Sequence, residues 1–151
     1  MNDSVREGNP EMTPEEAIGE LYAYTLARRD SDFIHQYAVD AFTAQMATAD
    51  TKPMTVAFAL IGLYLCLEHG YTGRHVQLAH MRLAKLRTHW PAFALPESRG
   101  EITVFDVLRA PPGNERDLLI KNWCASVWQA WAHAQSGVRE LYVQVYRSAQ
   151  K

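Results

Sequence analysis

Apolar positions along this chain recur every three or four residues and hardly anywhere alternate. That period belongs to helices with one face turned inward. Thr13-Pro14-Glu15-Glu16 is a helix start: the threonine caps, the proline suits the first turn, and Glu16 completes a capping box. Ile18, Leu21, Tyr22, Thr25 and Leu26 follow on one face and predict helix one to about Arg29. Asp30-Ser31-Asp32 offers caps for helix two, which turns Ile34, Tyr37, Ala38, Ala41 and Phe42 inward and ends near Thr48. Pro53 opens helix three, which is apolar all round and therefore belongs at the centre, with Gly62 permitting close approach of a neighbour and Gly70 as its stop. Helix four spans Gly73 to about His89, with Val76, Ala79, Leu83 and Leu86 inward, before a loop marked by Pro91 and Pro96.

Thr103 to Arg109 predicts a short helix capped by Thr103, with Asp106 three residues on. A strand over Ile102, Val104, Phe105 and Val107 is the alternative, but a lone strand has no partner. Asn114 caps a long helix six to about Ser136, closed by Gly137, and a final helix runs from Val138 to Gln150. The expected fold is all-α: one domain over residues 13–151, a bundle of six to seven helices around the buried apolar helix three, preceded by a flexible tail over residues 1–12.

Charge narrows the choice of partners. Fifteen Lys and Arg nearly balance seventeen Asp and Glu, so no basic field is available for phosphates, and nucleic acid is not an expected partner. The polar, acidic first dozen residues contain no apolar stretch of the signal-peptide kind. The longest apolar run, Met54 to Leu67, is too short to span a bilayer, so no membrane partner is expected and the cytoplasm is the default location. Cys66 and Cys124 lack C-x-x-C spacing and sit in apolar helical patterns as buried thiols.

Candidate chemistry is sparse. The six histidines form neither H-x-x-x-H nor H-E-x-x-H, and no E-x-x-H pair occurs on a helix, so no metal and no cofactor is expected. Phosphate-binding glycine loops and the G-x-S-x-G elbow are also missing. On helix two, His35 and Asp40 differ by about 140° at about 100° per residue, so they flank opposite sides of the apolar stripe. Gln45 falls near the middle of that stripe and needs partners for its amide. These three are expected to connect different helices rather than form one cluster, with Asp40 receiving a backbone N–H or an arginine and His35 a carbonyl. His80 projects beside Val76, Leu83 and Ala84, half-buried on helix four. Trp123, Val127 and Trp131 recur at four-residue steps with Trp128 beside them. That stripe predicts a packed face, with an aromatic pocket or a homodimer interface as alternatives.

Three stretches together resemble an uncharacterised bacterial family, the domain of unknown function numbered 5946. His35 to Gln45 looks like its H-x-x-x-V-D-A-[YF]-x-x-Q pattern. Phe58-Ala59-Leu60-Ile61-Gly62-Leu63-Tyr64-Leu65 and Gly73-Arg74-His75-Val76-Gln77 carry the second likeness. Arg99-Gly100-Glu101-Ile102-Thr103-Val104-Phe105-Asp106-Val107 and Trp123-Cys124-Ala125-Ser126-Val127-Trp128 carry the third. The likeness spans nearly all of the chain after residue 30 and implies no reaction, although it marks His35, Asp40 and Gln45 for testing. The expected function is a non-enzymatic small-molecule-binding or protein-interaction module, with His35, Asp40, Gln45, His80 and Trp128 as binding candidates and no catalytic residue assigned. The alternative is an enzyme, with metal assistance as an option, and with its site between helices two, four and six.

Overall fold

The computed structural model describes residues 12–86 and 89–150. In chain order the helices are α1 (Pro14–Ala27), α2 (His35–Met46), α3 (Pro53–His69), α4 (Gly73–Leu86), α5 (Val104–Arg109), α6 (Asn114–Ala130) and α7 (Gln135–Gln150), with a short 3₁₀ turn over Ala132–Ala134. No strand occurs among the described residues, so the all-α expectation holds and the Ile102–Val107 segment is helical. The expected tail lies outside the described residues except for Met12.

α3 packs on α2, α4, α6 and α7, as its all-round apolar surface requires. Leu60, Ile61, Leu63 and Leu65 are buried on every side of it. α2 is equally central, because it packs on α1, α3, α4 and α6. Its many alanines (Ala38, Ala41 and Ala44, all fully buried) let these neighbours approach closely.

Local signals set most helix ends. The Thr13–Glu16 capping box is formed in both directions, at 3.0 and 3.1 Å. Gly70 takes a left-handed φ of 66° and closes α3, and the N–H of Tyr71 folds back to the Leu65 carbonyl at 3.0 Å. The Thr103 N–H bonds the Asp106 carboxylate at 2.9 Å.

Three boundaries differ from the sequence expectation, and a fourth is only partly described. α1 stops at Ala27, because Arg29 adopts φ 51° and turns the chain toward α2. The expected run of α4 to His89 crosses residues 87 and 88, which lie outside the described residues. Gly113, not Asn114, is the N-cap of α6, at φ 108°, where its N–H reaches the Tyr24 hydroxyl at 2.8 Å. α6 ends at Ala130 rather than Ser136. Trp131, fully buried, donates its indole N–H to the Ala44 carbonyl at 3.2 Å, and the backbone tightens into the 3₁₀ turn beneath it. The Gln135 amide then satisfies the Trp128 carbonyl at 2.9 Å. Gly137 lies inside α7 and closes nothing. A Cβ there would come 3.1 Å from the Phe93 ring, so its smallness seats the Pro91–Pro96 loop.

Candidate functional site

α2 distributes its polar residues to different neighbours. His35 Nδ1 shares a 2.8 Å hydrogen bond with the Thr25 hydroxyl of α1, and its ring packs edge-on to Tyr22 and tilted to Phe33. Its partner is thus a hydroxyl, not the carbonyl expected. Burial lowers its basicity.

Gln45, ten residues on, is buried and makes three hydrogen bonds. Its amide N–H₂ donates to the carbonyls of Arg99 and Ile102 at 2.9 and 2.7 Å, and its Oε1 accepts the Trp123 indole N–H at 3.0 Å. Arg99 answers by donating to the carbonyls of Gln45 and Ala47 at 3.1 and 2.7 Å, capping the C-terminal end of α2. Ser126 Oγ accepts the N–H groups of Glu101 and Ile102 at 3.1 and 3.4 Å. The loop before α5 is therefore bolted to α2 and α6 through side chains alone. Gln45 is a structural clasp in this arrangement, with both amide N–H donors and one of the two Oε1 lone pairs engaged by the protein.

Trp128 lies on a third surface. Its indole N–H reaches Glu68 Oε2 at 3.2 Å, and Glu68 receives Arg139 through two bonds of 2.8 and 2.7 Å, so α3, α6 and α7 meet there. Trp123, Val127 and Trp131 are fully buried, which places the tryptophan stripe in the core.

Asp40 and His80 come together. Both line a cavity of about 270 Å³ between α2, α3 and α4, walled also by Gln36, Thr43, Thr55 and Phe58. The lining comes from α2, α3 and α4, and α6 contributes nothing to it. Asp40 is 3% exposed. Its Oδ1 accepts the Gln36 amide at 3.1 Å, one helical turn back. Among the described residues it meets neither the arginine nor the backbone N–H expected for it. Burial holds its carboxyl well above the usual carboxylate range, with the Gln36 bond opposing only weakly. A protonated carboxyl is a donor as well as an acceptor.

His80 packs on Phe58, with the two rings 5.2 Å apart. Its Nε2 is buried with no hydrogen-bond partner. Burial pushes the imidazole down to about 4, so it is neutral near pH 7. Phe58 also stands edge-on to Trp90 at 4.9 Å, completing an aromatic wall.

Gln36 and Phe58 escaped the sequence reasoning. Gln36 stands four residues before Asp40, a spacing that pairs side chains along a helix and could have flagged it. Phe58 looked like one more apolar residue of helix three. Gly62 was marked for close approach, and the residue that approaches is Asp40: a Cβ on Gly62 would overlap its carboxyl. Among the described residues no group of three or more His, Cys, Asp or Glu is placed to hold a metal ion. No helix among them is long and apolar enough to cross a membrane.

No curated protein and no solved structure matches this chain. A family model does, over residues 12–132. The match takes in α1, which the resemblance in sequence left out, and stops short of α7. Every helix that walls the Asp40–His80 cavity lies inside it. Matched over well more than half its length, the chain belongs to the family of unknown function DUF5946.

Proposed function

We propose that this protein is a non-enzymatic small-molecule-binding module and that its ligand occupies the cavity between α2, α3 and α4. The observation that carries this reading is the pairing, in one cavity wall, of a buried carboxyl that has a single amide partner with an imidazole that has an unpartnered buried nitrogen. Buried polar groups are nearly always satisfied, and each exception calls for a reason. A ligand that supplies the missing bonds is such a reason. The cavity, at about 270 Å³, lies just under the range of about 300–1,000 Å³ common for ligand sites, which suits a molecule of one or two rings. Burial works against the charged form of both groups, so a neutral polar ligand fits this cavity better than an ion.

An acid and an imidazole in one cavity are also the equipment of general acid–base catalysis, which is the support for an enzymatic reading. A general base works best when its pKa lies near the operating pH. An imidazole pushed down to about 4 is a weak base at neutrality, which favours binding over turnover.

The test is a screen of neutral amides and heteroaromatic fragments by thermal shift and ligand-observed NMR, on the parent and on Asp40→Leu and His80→Phe. Hits that stabilise the parent and are lost in both folded variants support the reading. Hits that bind all three proteins equally, or a screen without hits, would refute it. Chemical conversion of a hit by the parent would favour the enzyme instead.

A further inference from the structure

A second concavity, about 450 Å³, runs between α4 and α7 and shares no lining residue with the Asp40–His80 cavity. Its volume falls within the range of about 300–1,000 Å³ typical of small-molecule sites. Leu78, Leu83 and Leu86 form the α4 wall, and Tyr142 and Tyr146 form the α7 wall. Leu78 is 53% exposed, Leu86 40% and Tyr146 45%, so large apolar surface gathers on one concave face rather than lying scattered. The rings of Tyr142 and Tyr146 are stacked, 6.1 Å apart at 24°. Both tyrosines line the groove together with the leucines.

The groove is also one-sided in charge. Arg82 lines it, with its guanidinium 5.6 Å from the centre of the Tyr146 ring. That contact keeps a planar, permanently charged fork at the edge of the apolar trough. No Asp or Glu lines the groove. α4 contains none at all, while carrying Arg74, Arg82 and Lys85, although the whole chain has a net charge of −2. Carboxylate recognition by arginine is bidentate and directional, so one such group next to an apolar trough selects a molecule with one anionic end and one apolar end.

We propose that this groove is a second binding site and that it takes a small amphipathic carboxylate, with the carboxylate on Arg82 and the apolar body between Leu78, Leu83, Leu86 and the Tyr142–Tyr146 pair. A protein partner is disfavoured by size. The lining draws on two to three turns of α4 and one edge of α7, far short of the roughly 20–30 residues a side of a standard interface. Tyr142 and Tyr146 lie beyond residue 132, where the family match ends, so this site is built partly by a helix outside the matched region.

The experiment titrates sodium decanoate into the full ¹⁵N-labelled chain and follows backbone amides by NMR, with decanol as the neutral control and phosphatidylglycerol vesicles as a third arm. Decanoate is expected to shift the amides of Leu78–Leu86 and Tyr142–Tyr146 saturably, and to bind roughly three- to tenfold more tightly than decanol. Arg82→Gln should abolish that preference while leaving decanol affinity in place, and Leu78→Asp should weaken both. Each replaces an exposed side chain, so folding is expected to survive and circular dichroism checks it. Equal affinity for decanoate and decanol, a preference that persists in Arg82→Gln, or saturable shifts at other residues would each overturn the proposal. So would binding to vesicles without binding to free decanoate, which would make the groove a lipid-surface contact.

Discussion

The Asp40 carboxyl on α2 lies against the backbone of α3 at Gly62, in the space that any side chain at that position would fill. This contact sets how closely the two central helices meet and brings an acid into a cavity wall.

Gly62→Ala is therefore expected to destabilise the protein. Helix propensity alone would favour alanine by about 1 kcal/mol. Overlap with a buried carboxyl works against it, and overpacking costs about 1–3 kcal/mol, so the overlap is expected to win. Urea unfolding of Gly62→Ala, Asp40→Ala and the double variant is the check. The second substitution should restore stability lost in the first, because it removes the colliding group. Additive losses would mean that the two residues do not meet.

Asp40→Asn is expected to be neutral or stabilising at pH 7. The folded carboxyl holds its proton to higher pH than the unfolded one, because burial dominates. Such a group contributes most below the unfolded value, about 3.9, and loses that contribution as pH rises toward the folded value. Asparagine keeps an acceptor for Gln36 and never ionises. The variant should gain on the parent between about pH 4 and pH 7, measured as the difference in urea midpoints at each pH. A clear loss of stability at pH 7 would point to an ionised Asp40 with a cationic partner.

His80 produces the opposite slope. Its folded value of about 4 lies below the ordinary 6.5. The unfolded state therefore binds the extra proton between those limits, and stability falls as pH drops through them. The shift corresponds to about 3 kcal/mol at 1.36 kcal/mol per unit. His80→Leu should lack this acid loss, and the imidazole protons of His80 should stay unshifted by NMR from pH 8 to pH 5. Titration of His80 near 6.5 would show that the ring is open to water.

Gln45→Leu is expected to cost about 3 kcal/mol or more. It strands a buried indole N–H and two carbonyls, and each unpaired buried group costs about 1–3 kcal/mol. The loss should appear as a lower denaturation midpoint with faster amide exchange at Glu101 and Ile102, whose loop the glutamine anchors. An unchanged midpoint would mean that water replaces the amide at little cost.

What the sequence determined by itself was local. The 3.6-residue period, the Thr13 and Thr103 boxes and the Gly70 stop depend on contacts within a few residues, and they placed the seven α-helices of the described residues. The central position of α3 was legible because an all-round apolar helix has to be surrounded. Helical angles set His35, Asp40 and Gln45 on different flanks; His35 and Gln45 do bond other elements, whereas Asp40 bonds Gln36 on its own helix. The tertiary structure decided the rest. α6 breaks at Trp131 because an indole must reach Ala44 across the core, a contact spanning 87 positions. His80 meets the Asp40 cavity because α4 packs on both α2 and α3, and one helix's own period carries no information about its neighbour. The same limit hid the α4–α7 groove, whose walls lie more than fifty residues apart in the chain. Spacing along a helix shows which side chains share a face; only packing shows what that face meets.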